Sequence, residues 1–254
     1  IQCCLVGSEM CIRDSPKVDA IFGLHAWPGK VGTVEYRSGP TMAAAERMRI
    51  TVTGSQTHGA VPWKGVDPIS ISSQIITALQ TIVAREVNIT EVPAVVTIGS
   101  IHGGVRNNII PEEVVMEGTI RTFNDEVRKD IHDSIRKKAE MIASASGATA
   151  KVEIFSDIAK VTFNEPSLTD KMVPSLERVY GKENVKITPF ITGAEDFPFF
   201  TDHAPGLYFF NGVASDPSKA APNHSPYFFA DERNLKYGTK ALTQLAVDYL
   251  YLYK

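Results

Sequence analysis

The chain has 254 residues, enough for one large domain or two smaller ones. Apolar residues make up 43% and charged residues 22%, a globular composition, and a formal net charge of -3 leaves no basic excess to suggest nucleic acid or an anionic membrane as partner. No apolar run approaches the roughly 20 residues that cross a bilayer, and Cys3, Cys4 and Cys11 all fall in the first eleven residues, so the fold does not rest on disulfides.

Those cysteines lack the second ligand pair of a zinc ribbon. Residues 1–16 have neither the basic start nor the small-residue cleavage site of a signal peptide, and they read as a leader foreign to the domain. A cytoplasmic location is expected. The apolar run Val18 to Leu24 reads as a buried strand ending in His25, followed by a turn at Trp27-Pro28-Gly29. Val31 to Arg37 alternates and reads as a second strand, and Ser38-Gly39-Pro40 as a break.

From Arg47 the pattern is compact. Arg47 to Thr53 reads as a strand, and Gly54 to Pro68 as a long polar loop. Asp67 with Pro68 behind it predicts a helix start, with Ile69, Ile75, Ile76, Leu79, Ile82 and Val83 on its apolar face. Ala94 to Ile101 and Val114 to Arg121 read as strands. Asn124 or Asp125 caps a second helix carrying Val127, Ile131, Ile135, Ala139 and Ile142, and Gly147 ends it before a last strand, Ala150 to Phe155. The order is β-α-β-β-α-β, that of a ferredoxin-like α+β unit. It is placed at residues 47–158 and interrupts an α/β domain made of residues 17–46 and 159–254.

In the second piece of that α/β domain, Ser167 to Tyr180 reads as a helix that Pro174 should kink or break. Val185 to Phe190 and Gly206 to Phe210 read as strands. Asn234 to Tyr253 reads as a closing helix with Leu235, Leu242, Leu245, Ala246, Tyr249 and Leu252 along one side.

Several polar residues stand in settings suited to chemistry. His25 ends a strand, and His224 lies in the proline-flanked loop Ala221-Pro222-Asn223-His224-Ser225-Pro226. A strand-end cap and a surface turn are the plain alternatives to metal ligation by these imidazoles. His58 heads the long loop beside Gly59, Asn108 lies in a glycine-led loop, and Arg121 ends a strand. An Arg, an Asn and a His on one small domain could bind a carboxylate and an oxyanion, though Arg121 alone reads equally well as a surface charge. Glu195 and Asp196, between glycine and aromatic residues, resemble a site loop or the cap of a short helix. His102, His132 and His203 read as structural.

Five segments occur in one order: Gly23-Leu24-His25-Ala26-Trp27-Pro28; Thr57-His58-Gly59-Ala60-Val61-Pro62; Asn108-Ile109-Ile110-Pro111 through Glu117-Gly118-Thr119-Ile120-Arg121; Gly193-Ala194-Glu195-Asp196-Phe197; and Asn223-His224-Ser225. Taken together they resemble the dinuclear zinc amidohydrolases that include aminoacylases, hippurate hydrolases and indoleacetyl-amino acid hydrolases. The resemblance implies a catalytic α/β domain with a ferredoxin-like lid that also makes a homodimer. It implies His25 and His224 as metal ligands for two divalent ions, zinc or manganese. It further implies His58 as the catalytic group that polarises the scissile carbonyl in a dimer partner. Asn108, Arg121 and Glu195 are then expected to hold an N-acyl amino acid substrate, with no nucleic acid or membrane partner.

The family's remaining ligands and its glutamate base lie in a His-x-Cys-Gly-His-Asp segment and a Glu-Glu pair ahead of the Gly-Leu-His motif. Neither occurs before Gly23, and Glu112-Glu113 lies in the wrong place to serve. The chain alone is therefore expected to bind metal weakly and to turn over little. The alternatives are a non-catalytic ligand-binding or dimerisation module on the same scaffold, and a dipeptidase or carboxypeptidase of the same superfamily.

Overall fold

The structure is a computed structural model and describes residues 18–252. The expected leader and its three cysteines lie outside the described residues. Twelve strands are described: β1 (Ile21–Lys30), β2 (Val34–Tyr36), β3 (Gly39–Met42), β4 (Ala44–Thr53), β5 (Thr57–His58), β6 (Val95–Gly103), β7 (Ile109–Ile110), β8 (Glu113–Thr122), β9 (Thr149–Ala159), β10 (Thr162–Asn164), β11 (Val185–Ile187) and β12 (Gly206–Ala214). The helices are α1 (Pro68–Arg85), α2 (Asp125–Ala145), α3 (Pro166–Tyr180), the single turn α4 (Pro198–Thr201) and α5 (Arg233–Leu252). Among the described residues no helix is long and apolar enough to cross a membrane.

The chain divides into two compact units. One runs from Ala43 to Val161 and takes in Thr192–Ala194; the other comprises the residues up to Met42, Thr162–Ile191 and those from Glu195 onward. The expected boundary at residue 47 would cut β4, whose first residues Ala44, Ala45 and Glu46 already pair with β8. At the other end β9 runs to Ala159, past the expected 158.

The unit that begins at Ala43 is an antiparallel sheet in the order β6-β8-β4-β9, with α1 and α2 packed on one face. Met48, Ile50 and Val52 alternate into the core, meeting Ile71, Ile75, Leu79 and Ile82 of α1 and Ile131, Ile135, Ala139 and Ala143 of α2. That is period two packed on period 3.6. Asp67 accepts from the Ile69 and Ser70 amides, and Asn124 from Glu126 and Val127, so both helix starts fall where capping places them. Ile69 does not share the buried stripe. It is 45% exposed, because residues 71, 75, 79 and 82 define that stripe and 69 lies off it.

In the other unit, the sheet order is β1-β12-β2-β11, with β1 parallel to β12. Phe209 and Leu207 of β12 pack with Leu168, Met172 and Leu176 of α3 and Ala241 and Leu245 of α5. The strand does not stop at His25. β1 runs on to Lys30, and Trp27-Pro28-Gly29, expected as a turn, is an irregularity in the register between Trp27 and Lys30. A proline that lacks an N–H is tolerated at such a place. The turn comes later, at Gly32, whose φ is +82°. Gly39 is likewise the start of a strand and not a break, and β3 pairs with β10.

Pro174 neither ends nor splits α3. It lies on the exposed side of the helix. On α5 the buried positions are Asn234, Gly238, Ala241, Leu245 and Asp248, while Leu235 and Leu252 are exposed. The packed side of this helix is thus carried partly by a glycine and polar residues, which an apolar count misses.

Candidate functional site

His25 lies in the middle of β1, opposite Phe210 of β12, with aromatic rings around it. Trp27 packs edge-on at 5.6 Å between centroids and Tyr208 at 6.5 Å. Its Nδ1 is 2.7 Å from the carbonyl oxygen of Ala26. A carbonyl only accepts, so Nδ1 carries a proton, and in the neutral ring the lone pair is then on Nε2. That nitrogen faces Glu195, 3.6 Å from Oε1, and both side chains are partly exposed.

The Tyr208 phenol stands beside Glu195. Burial, then the charge and hydrogen bond of Glu195, push the Tyr208 phenol well above its ordinary value, so its hydroxyl stays a donor to the carboxylate. Tyr208 itself is fixed through its backbone. Its amide donates to Asn164 Oδ1 at 2.7 Å, and its carbonyl accepts from Asn164 Nδ2 at 2.8 Å.

His224 sits on the loop between β12 and α5. It has φ +67°, left-handed backbone that side chains seldom adopt. The loop is closed at its base, where Asp231 accepts from Ser215 and, through the backbone amide and two guanidinium nitrogens, from Arg233. Those donors, Arg233 first, hold the Asp231 carboxyl below the usual carboxylate range. Near the tip Asn223 Nδ2 donates to the Ala26 carbonyl at 2.9 Å.

In the unit that begins at Ala43, β5 pairs with β7, setting His58 opposite Ile109. The Gly59 amide donates to the Asn108 carbonyl at 2.7 Å, and a Cβ at Gly59 would press on the Asn108 backbone at 3.2 Å. His58 and Asn108 are thus neighbours. The Ala60 amide donates to His58 Nδ1 at 3.0 Å, so in the neutral ring the proton is on Nε2 and that edge is a donor. Arg121 does not join them. It lies at the far end of β8, eight residues or about 26 Å along the strand from Glu113. Among the described residues it has no ion-pair partner.

An ion coordinated tetrahedrally at about 2.1 Å sets its ligands about 3.4 Å apart. The 3.6 Å between His25 Nε2 and Glu195 Oε1 suits two ligands of one divalent ion. Among the described residues no group of three or more His, Cys, Asp or Glu side chains stands together as a metal cage.

Comparison with known proteins decides the family. The sequence matches Peptidase family M20/M25/M40 over residues 4–248. The chain belongs to this family. The M20 chain is 37% identical over 236 residues to thermostable carboxypeptidase 2 of Saccharolobus solfataricus, covering 91% of this chain and 58% of that protein. It is 38% identical over 219 residues to N-acetyl-L-cysteine deacetylase of Bacillus subtilis, covering 85% and 50%.

Among solved structures, the YxeP protein of Bacillus subtilis, described as a dinuclear metal binding peptidase from the M20 family, superposes with a TM-score of 0.74 at 28% identity. That superposition covers 97% of this chain and 60% of that one. The M20 chain therefore spans about half to six-tenths of the length of the relatives it matches. The family resemblance drawn from five motifs is borne out, and a mixed α/β fold of this family fits the chain.

Sequence reasoning missed Tyr208, Asn164 and Asn223. Tyr208 looked like one more aromatic in a strand. Asn223 had a signal, since it adjoins the loop histidine and is itself a strong side-chain donor.

Proposed function

We propose that this M20 chain supplies part of the site of a metal-dependent amidohydrolase that cleaves the amide bond of N-acyl amino acids. The observation that carries the reading is the orientation of His25. Its Nδ1 is committed to the Ala26 carbonyl, and its Nε2, which carries the lone pair in the neutral ring, faces a carboxylate at a separation suited to a shared ion. The deacetylase and dinuclear-metal relatives support the same reading. Two divalent ions, zinc foremost, would be held by His25 and His224 with ligands beyond this described set, and when bound they supply an acidified water as nucleophile.

The chain's own residues do the rest. Glu195, fixed by Tyr208, orients the polar end of the substrate or shares the ion with His25. His58 presents an Nε2–H, the form that can donate to the oxyanion of a tetrahedral intermediate. Asn108 beside it holds the substrate, and Arg121, standing apart, offers a cation for a carboxylate. The β-α-β-β-α-β unit is proposed as a ferredoxin-like lid that pairs two copies through α1 and β6, so that His58 serves the site of a second copy. By itself the 254-residue chain is proposed to bind metal weakly and to turn over little.

The carboxypeptidase relatives favour a second reading, in which the scissile amide is a C-terminal peptide bond. Assaying the product of the complete reading frame against N-acetyl amino acids and against N-blocked dipeptides separates the two. The proposal expects kcat/KM to be higher for N-acetyl amino acids. It also expects His58→Ala to lower kcat by about 10²- to 10³-fold with little change in KM. Preference for blocked dipeptides would favour the second reading, and full activity in His58→Ala would remove His58 from the chemistry.

A further inference from the structure

We infer that Asn223 is a positioning residue that ties the His224 loop to the oxygen orienting His25, so that one backbone carbonyl sets both imidazoles. The inference rests on the reading of His25 and His224 as ligands. The Ala26 carbonyl receives His25 Nδ1 at 2.7 Å and Asn223 Nδ2 at 2.9 Å. A carbonyl has two lone pairs, so both donors fit without competing. One contact leaves His25 Nε2 open for an ion, and the other anchors the residue next to His224 in a chain segment 197 positions away.

The loop needs such a tether. Its base is closed by Ser215, Asp231 and Arg233, and the Asp231 amide bonds to the Val213 carbonyl at 2.9 Å. Between base and tip the local bonds, such as Ser225 N to Pro222 O at 3.1 Å, shape the turn but do not link it to the sheet. The Asn223 amide makes that link. It does so one residue before a histidine in left-handed backbone, a conformation that persists only where the surroundings over-determine it. An outer contact of this kind typically governs ligand placement, and its loss lowers metal affinity by about 10- to 100-fold.

Two measurements on the 254-residue chain test this. The first is hydrogen–deuterium exchange without metal. Asn223→Ala and Asn223→Asp should both speed amide exchange in residues 216–231 at least about tenfold while leaving α3 unchanged. The aspartate matters because it keeps the size of the side chain and removes the donor. Wild-type exchange in Asn223→Asp would overturn the tether.

The second is calorimetric zinc titration of wild type, Asn223→Ala, His224→Ala and the double variant. Each single change should lower affinity by about 10- to 100-fold, and the double variant should be no weaker than His224→Ala alone. Additive losses, or wild-type affinity in Asn223→Ala with His224→Ala impaired, would overturn the positioning role. Unchanged affinity in His224→Ala would instead sink the ligand reading, and the exchange experiment would still decide the tether.

Discussion

The Glu46 carboxylate, 1% exposed under α2, lies 2.7 Å from His132 Nε2. Burial works against ionisation there, yet hydrogen bonds from His132 and Ser156 and the charges of His132 and Arg128 outweigh it and hold the Glu46 carboxyl below its ordinary value. His132, which reads from sequence as structural, is the partner that lets β4 bring an acid into the core side of the sheet.

A pH dependence follows from the sign of that shift. A lowered folded value means that the stabilisation is present above the ordinary value of 4.5 and is lost as pH falls through the folded value. Glu46→Ala leaves His132 without its acceptor, and the expected loss is about 3 kcal/mol at pH 7 and much less near pH 3. Urea unfolding followed at both pH values reads it. Equal losses at the two would show that the pair contributes nothing through its charge.

Gly54 is fixed by contact. A Cβ there would lie 2.2 Å from the Val66 carbonyl oxygen, where Ser55 and Val66 exchange two backbone hydrogen bonds. This clamp holds the loop that carries His58. Gly54→Ala should cost about 1–3 kcal/mol in urea unfolding and broaden or shift the His58 ring resonances. Unchanged stability with unchanged His58 resonances would mean that the loop is held elsewhere.

Much of this was legible because the signals were local and periodic. Asp67 with Pro68, and Asn124 ahead of α2, mark helix starts through capping chemistry that involves only neighbouring residues. The alternation Met48, Ile50, Val52 marks a half-buried strand for the same reason. What failed was non-local. Trp27-Pro28-Gly29 has turn composition, but pairing with β12 carries the strand past it. Gly238 is buried on α5 because Asn211 Nδ2 would lie 2.9 Å from a Cβ there, and that close approach is invisible to hydropathy.

The candidate site divides in the same way. Histidines in turn-like or glycine-flanked motifs stood out singly, whereas the Asn164–Tyr208–Glu195 chain joins segments far apart in sequence.

Tyr208 supplies a prediction of its own. Tyr208→Phe keeps the ring that packs against Phe197 at 4.7 Å and removes only the hydroxyl donated to Glu195. Thermal stability should change little, while zinc affinity should fall by about tenfold as the carboxylate loses its orientation. Calorimetry with a parallel melting curve distinguishes the two effects. Wild-type affinity in the variant would show that Glu195 does not share the ion through Tyr208.

The most direct measurement is X-ray absorption at the zinc edge on the 254-residue chain at millimolar protein and metal. Imidazole multiple scattering from His25 and His224 is expected in wild type, reduced in His25→Ala and again in the variant lacking both histidines. A spectrum without imidazole scattering, or one unaltered by loss of His25 and His224, would contradict the assignment of these residues as metal ligands.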